Sequence, residues 1–315
     1  MVIGDMVADV YLEGKISRIS REAPVLILEH SEERVVPGGA ANVVLNIATL
    51  SGNVAAVGVI GQDYAGQELA CILTNKNAHT AGLLVDHSRP TITKTRVMAG
   101  GQATVRQQIV RIDKEKKEAL NVHIEQAVKE YITTHIVGMD GVVISDYGSN
   151  TVTSNLIKYI IHTCREKNIP CIVDSRYNIM EYSGIDVVKQ NESEAAAAVG
   201  YKITDQTTLL SAGKAILDKL EAQAVLVTRG PDGMSLFEKT GKVTHIPVTN
   251  RSEVYDVTGA GDTVVAAMIL ALAAGASYEE AARLSNFAAG IVVKKLGTAT
   301  TTPTELCEAI TEHFE

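Results

Sequence analysis

The stretch EVYDVTGAGDTVVAAMILALAAG, Glu253 to Gly275, joins a tight glycine loop to an almost wholly apolar helix. Eleven apolar residues in a row, Val264 to Ala274, leave that helix no polar face, so it must be packed on every side inside a layered protein. Gly259, Ala260 and Gly261 are small enough to let consecutive backbone N–H groups point into one cavity just before the helix, an arrangement that holds anions. Asp262 then stands at the helix N-terminus, where the dipole favours its ionised form. A carboxylate beside an anion hole can orient a hydroxyl and take its proton while the backbone donors stabilise a transferring phosphoryl group. The competing reading is an aspartate that only caps a helix after a glycine turn. Neither the dinucleotide fingerprint GxGxxG nor the Walker loop GxxxxGK[ST] is met, and GQDYAGQ at Gly61 has the Walker glycine spacing without its Lys-Ser/Thr ending.

A chain of 315 residues buries a substantial core, and one large α/β domain over 1–315 is expected. With 46% hydrophobic, 4% aromatic and 21% charged residues, the composition is that of a globular, alanine- and valine-rich protein rather than a disordered one. The net charge of -8 speaks against a nucleic-acid or membrane-surface binder, so any phosphate must be held locally. Cys71, Cys164, Cys171 and Cys307 show no CxxC spacing and read as reduced core residues. No basic segment followed by an apolar run opens the chain, and no apolar run approaches the roughly 20 residues that span a bilayer, so a cytoplasmic location is expected. The eight histidines form no HExxH or other metal spacing.

Short apolar runs ending in turn residues alternate with helix-like stretches, a βα rhythm. Strands are expected at 55–61, 82–86, 141–147, 170–175, 186–191 and 224–230 after an opening strand at Val2–Ile3, with helices over 41–50, 152–168 and 208–222. The result is a layered fold with a mostly parallel sheet, in which ligands sit at the carboxyl ends of the strands. Two segments, at about 10–36 and 89–113, alternate polar and apolar residues instead; they suit a small β lid or ordinary hairpins on the side of the domain.

PGGAANVVLNIATLSG, Pro37 to Gly52, puts Gly38 and Gly39 ahead of a helix with Asn42 in its first turn, where an amide can bind sugar hydroxyls. Together with DVTGAGD, this pair of motifs resembles the two signatures of the ribokinase-like, or PfkB-type, carbohydrate kinases, in the same order and at a matching separation. The resemblance covers essentially the whole chain. Within the family, GDMVADVYLEGKISRISREAPVLILEHSEERVVPGGAANV, PTITKTRV, RQQIVRID and KLGTAT resemble the heptose 7-phosphate kinases. Those enzymes phosphorylate the anomeric hydroxyl of D-glycero-D-manno-heptose 7-phosphate on the route to ADP-heptose and lipopolysaccharide.

The resemblance implies a three-layer ribokinase-like fold with a lid, ATP as donor, Mg²⁺, and a sugar phosphate as acceptor. It implies Asp262 as base, with Gly259, Ala260 and Gly261 as anion hole. NESE at 191–194 is similar to the family's NxxE element, which makes Asn191 a nucleotide-side residue and Glu194 the one that organises Mg²⁺ through water. TRGPDG at 228–233 is similar to the nucleotide-binding turn and assigns Thr228, Arg229, Gly230 and Gly233 to the nucleotide, with Thr258 and Asn286 beside them. Asp9, Gly38, Gly39 and Asn42 fall to the sugar. Lys94 and Arg96 alternate along one lid strand, share a face, and are expected to meet the acceptor's 7-phosphate; Gln107, and after it Gln108 and Arg111, would line the same lid. A homodimer is expected.

The chain departs from the family where SDY continues as GSN at 148–150 and where Arg176 replaces a usual lysine, which bears on the sugar more than on kinase activity. Two alternatives stay open: a related kinase for a ketose phosphate, sugar or nucleoside, and a non-catalytic sugar or nucleotide sensor. Some heptose kinases continue into a nucleotidyltransferase domain; without an HxGH signature, this chain is expected to lack that activity.

Overall fold

The structure, a computed structural model of the 315-residue chain, describes residues 1–100, 107–249 and 254–314. Residues 101–106 of the expected lid and Glu253 of the opening stretch lie outside them. Nine strands form one sheet: β1 (Val2–Gly4), β4 (Ala55–Ile60), β5 (His79–Val85), β8 (Val142–Asp146), β9 (Cys171–Ser175), β10 (Val187–Asn191), β11 (Ala224–Thr228), β12 (Met234–Glu238) and β13 (Val243–Ile246). Their order is β13-β12-β11-β10-β9-β8-β1-β4-β5, parallel from β11 to β5, with β12 and β13 antiparallel at one edge. Successive strand residues face opposite layers. Ile3, Val57, Ile144, Val173, Val188 and Val225 pack toward α3 (Val122–His135), α4 (Ser154–Lys167) and α6 (Gln206–Leu220). Val2, Ala56, Val143, Ile172, Val187 and Leu226 pack toward α1 (Ala40–Thr49), α2 (Tyr64–Asn75), α7 (Ala260–Ala273) and α8 (Tyr278–Val292). Burial on both faces is why the strands read as continuous apolar runs.

Beyond Asp5 the chain leaves this sheet and continues as β2 (Met6–Ile19), which forms a second sheet with β3 (Leu26–Gly39), β6 (Ile92–Gly100) and β7 (Gln107–Lys114) in the order β3-β2-β6-β7. This smaller sheet starts at Met6 and closes at Gly39, wider than the expected 10–36, because Met6, Val7 and Ala8 are buried yet already paired to Gly39, Gly38 and Pro37. Cys164 and Cys171 are buried, as expected, whereas Cys71 and Cys307 are exposed surface thiols rather than core residues; all four are free. Among the described residues no helix is long and apolar enough to cross a membrane.

Candidate active site

The carboxyl ends of β8 to β11 and the start of α7 enclose a cavity of about 830 Å³. The helix is capped by Gly259, whose φ of 80° lies in the left-handed region, and a Cβ there would come within 2.8 Å of Asn42 Nδ2. A Cβ on Gly261 would meet Lys189 Nζ at 2.8 Å, so glycine is what admits the ammonium to the loop. The N–H of Ala260 donates to the Val257 carbonyl at 3.2 Å, and that of Thr263 to Gly259 at 3.1 Å. The donors left at the helix start are those of Gly259, Gly261 and Asp262, with Ala260 withdrawn from the run by its turn to Val257.

Asp262 is 5% exposed. Its Oδ2 accepts from Asn42 Nδ2 at 2.7 Å and its Oδ1 from the Tyr147 hydroxyl at 3.0 Å. The carboxylate is therefore held by side chains, while the helix has no side-chain cap at all. Burial pushes its pKa up from 3.8 to about 6, with Asp174 adding to the rise and Asn42, Lys189 and Tyr147 opposing it. The helix dipole favours ionisation, and burial outweighs it. Asn42, expected on the sugar, is fully buried and spends its amide on Asp262.

Tyr147 owes its place to Asp5, whose carboxylate accepts from the N–H groups of Tyr147 at 2.8 Å and Ser149 at 3.2 Å and from the Thr151 hydroxyl. Burial first, then the Asp262 charge, raise the Tyr147 pKa, keeping the hydroxyl protonated as a donor. Lys94 Nζ lies 5.3 Å and the Arg176 guanidinium 4.9 Å from the Tyr147 ring centroid. Burial lowers the Lys94 ammonium, Asp9 opposes this and the Arg176 charge adds to it. Arg96 instead donates to Asp9 at 2.6 Å. The cations gathered at Tyr147 are thus Lys94 and Arg176, not Lys94 and Arg96. Gly38 passes against the Asp9 carboxylate, and Gly39 leads into α1. Gln107 and Gln108 are exposed on β7, and Arg111 pairs with Asp113 at 2.8 Å; as members of the outer lid strand they do not line the cavity.

On the opposite wall lie Asn191, Glu194, Thr228, Gly230, Gly233 and Asn286. Asn191 caps α5 (Glu192–Val199) in a reciprocal box with Glu194, its Oδ1 accepting from the Glu194 N–H and the Glu194 carboxylate from its own N–H, each at 2.8 Å. Arg229 turns to Glu192 at 3.1 Å and the Thr258 N–H to Asp256 at 2.9 Å, so neither lines the cavity. Asn286 donates to the Pro247 carbonyl at 2.8 Å. The sequence reading missed Asp174 and Lys189, a buried pair at 2.8 Å beneath Gly261. Their signal is a charged residue directly after the apolar run of a buried strand, Asp174 after Cys171–Val173 and Lys189 after Val187–Val188. Among the described residues no group of three or more His, Cys, Asp or Glu could hold a metal ion. A lone Glu194 fits Mg²⁺ that arrives with phosphate oxygens and keeps its waters, not an all-protein cage.

The architecture is that of the ribokinase-like kinases: phosphofructokinase-2 from Escherichia coli superposes with a TM-score of 0.79 over 100% of this chain and 99% of its own at 21% identity. Ribokinase from Arabidopsis thaliana does so with a TM-score of 0.75 over 98% and 97% at 21% identity. The sequence pattern of the pfkB family of carbohydrate kinases matches residues 1–305, and the chain belongs to that family. It is a phosphotransferase acting on a sugar hydroxyl. It is similar to the bifunctional protein HldE of Geobacter sulfurreducens, 40% identical over 307 residues, 97% of this chain and 61% of that protein. The counterpart in Citrifermentans bemidjiense is 42% identical over 97% of this chain and 62% of its own. The chain thus spans less than two thirds of these relatives.

Proposed function

We propose that residues 1–315 form a single kinase domain that transfers the γ-phosphoryl group of ATP to the anomeric hydroxyl of D-glycero-D-manno-heptose 7-phosphate. The observation that carries this reading is Asp262, a buried carboxylate at the mouth of an anion-binding helix start, with a pKa of about 6. Two of the four acceptor positions of the carboxylate are taken by Asn42 and Tyr147, which leaves room for a sugar hydroxyl. Asp262 takes the hydroxyl proton as the oxygen attacks; the N–H groups of Gly259, Gly261 and Asp262 are the donors for the charge on the transferring group. Glu194 would hold Mg²⁺ through water, and the ion would neutralise phosphate charge.

Lys94 and Arg176 bring two positive charges to one ring; Asp9 beside Lys94 and Glu194, 3.9 Å from Arg176, answer them in part, and an acceptor phosphate reaching both cations would add to that. Lys94→Ala and Arg176→Ala are each expected to raise the acceptor KM about tenfold or more, as loss of a charge-assisted contact does, with the nucleotide KM nearly unchanged. Equal rises in both KM values would place the pair elsewhere. Offering ATP with heptose 7-phosphate, fructose 6-phosphate, ribose and a nucleoside tests the acceptor. The heptose phosphate should give the highest kcat/KM; a different winner would keep the kinase and discard this acceptor.

The lid leaves Ile16, Ile19, Leu26, Ile109, Val110 and Ile112 exposed, and β7 is an edge strand open to a pairing partner. We expect pairing of two lids, with a solution mass about twice the 33.6 kDa of the chain and Ile112→Glu shifting it to the monomer. A wild-type monomer at micromolar concentration would reject the pairing.

A further inference from the structure

Behind Asp262, on the side away from the cavity, three fully buried polar side chains link α1 to α7. Asn46 Nδ2 donates to the Asn42 backbone carbonyl at 2.8 Å and lies 3.2 Å from Asn42 Oδ1. The Thr263 hydroxyl donates to Asn46 Oδ1 at 2.8 Å, with the Gly259 carbonyl as a second acceptor at 3.3 Å. Asn42, Asn46 and Thr263 are each 0% exposed. Mechanisms of acid–base transfer do not call on Asn46 or Thr263, yet both are buried polar side chains with partners in α1 and α7.

We propose that Asn46 is a positioning residue for the base, acting through Asn42 and held by Thr263. The proposal rests on the reading of Asp262 as that base. An amide has one donor end and one acceptor end, and in a buried site each must meet its complement. A backbone carbonyl only accepts, so the end of Asn46 facing the Asn42 carbonyl must be its NH₂. That leaves Asn46 Oδ1 for the Thr263 hydroxyl. The same NH₂ group faces the Asn42 side-chain oxygen and so turns the Asn42 NH₂ toward Asp262. Were Asn42 reversed, its oxygen would face a carboxylate oxygen. The relay therefore decides which end of Asn42 meets the base, and through it the direction in which Asp262 offers its free lone pairs. Three other groups face the carboxylate: Tyr147 from the loop after β8, Asp174 from β9 and Lys189 from β10. None of them touches Asn42's oxygen end.

The test compares Asn46→Leu and Thr263→Val with Asp262→Asn, using whichever acceptor the wild-type protein turns over. Asn46→Leu keeps the branched heavy-atom shape and removes both the donor and the acceptor; Thr263→Val removes one hydroxyl and keeps the shape. Both are expected to lower kcat, Asn46→Leu by about 10- to 100-fold as misplacement of a catalytic group does, with nucleotide and acceptor KM within about threefold. Loss of the Asn42 donor also removes a bond that favours the ionised carboxylate, so the acidic limb of the kcat profile should move to higher pH. A packing role would lower Tm and leave that limb in place. Wild-type kcat and an unmoved limb in Asn46→Leu would overturn the proposal; if that variant does not fold, the same result in Thr263→Val would do so. Should Asp262→Asn itself retain activity, the base assignment fails first, which separates that failure from this one.

Discussion

Asp262→Asn is expected to lower kcat by 10²–10⁴-fold, the range of a general-base contribution, while the nucleotide Kd stays near the wild-type value. Asparagine keeps the shape, and its carbonyl can still accept from Asn42, so the helix start and its backbone donors are preserved. What goes is the group that takes the sugar proton. The pH behaviour follows from the same carboxylate: with a pKa of about 6, wild-type kcat should fall as pH drops below about 6. Stability has the opposite sign. The native protein keeps this proton up to about pH 6, whereas the unfolded chain releases it near 3.8. The unfolded state therefore binds fewer protons between those values, and folding stability declines as pH rises through that window. Above it, the ionised buried carboxylate costs about 3 kcal/mol, the equivalent of a shift of roughly two units. Asp262→Asn removes that cost. A Tm at pH 8 equal to or above the wild type, together with lost turnover, is the expected pair of results. A variant with near-normal kcat would refute the base role.

Lys189→Met should be strongly destabilising, by about 3–5 kcal/mol, because it removes one partner of a buried ion pair and strands the other. The side chains of Lys189 and Asp174 are 7% and 11% exposed, and they meet at 2.8 Å. Burial alone would lower the Lys189 pKa; Asp174, then Glu194 and Asp262, overcome it and raise it. Without the ammonium, the carboxylates of Asp174 and Asp262 are left to repel each other. The loss should be larger at pH 8 than at pH 5, where protonation relieves that repulsion. Urea unfolding of Lys189→Met, and of Lys189→Met combined with Asp174→Asn, checks the origin of the effect. The double variant should recover much of the loss. An unchanged midpoint in the single variant would show that the pair does not hold the floor of the cavity.

Much of the scaffold was legible because its signals are local. The opening strand and the six further apolar runs are strands of the large sheet, and the apolar run of α7 is buried from Val264 to Ile269 and at Ala271, opening to the surface only at Ala273 and Ala274. The glycine loop and Asp262 do meet at a cavity. What stayed hidden depends on pairs distant in sequence. Asn42 looked free for a ligand because its partner lies 220 residues away. Arg96 and Lys94 share a strand and a spacing, yet Asp9 claims the first, and Arg176, arriving from the end of β9, joins the second. The role of Asp5 in holding Tyr147 was invisible for the same reason, since the loop it orders begins 142 residues later. Gln107 failed differently: alternation along a strand shows that residues share a face, but not whether the strand borders the cavity or the outer edge of the lid.

The most direct measurement is ³¹P NMR of the product formed from ATP and D-glycero-D-manno-heptose 7-phosphate with Mg²⁺, run in parallel for the wild type and Asp262→Asn. The wild type should yield ADP and one new phosphate resonance coupled to the anomeric proton, with the 7-phosphate retained, and Asp262→Asn should yield neither at a matched time. Transfer to a different hydroxyl, or equal product from both proteins, would contradict the assignment of Asp262 as the base for anomeric phosphorylation.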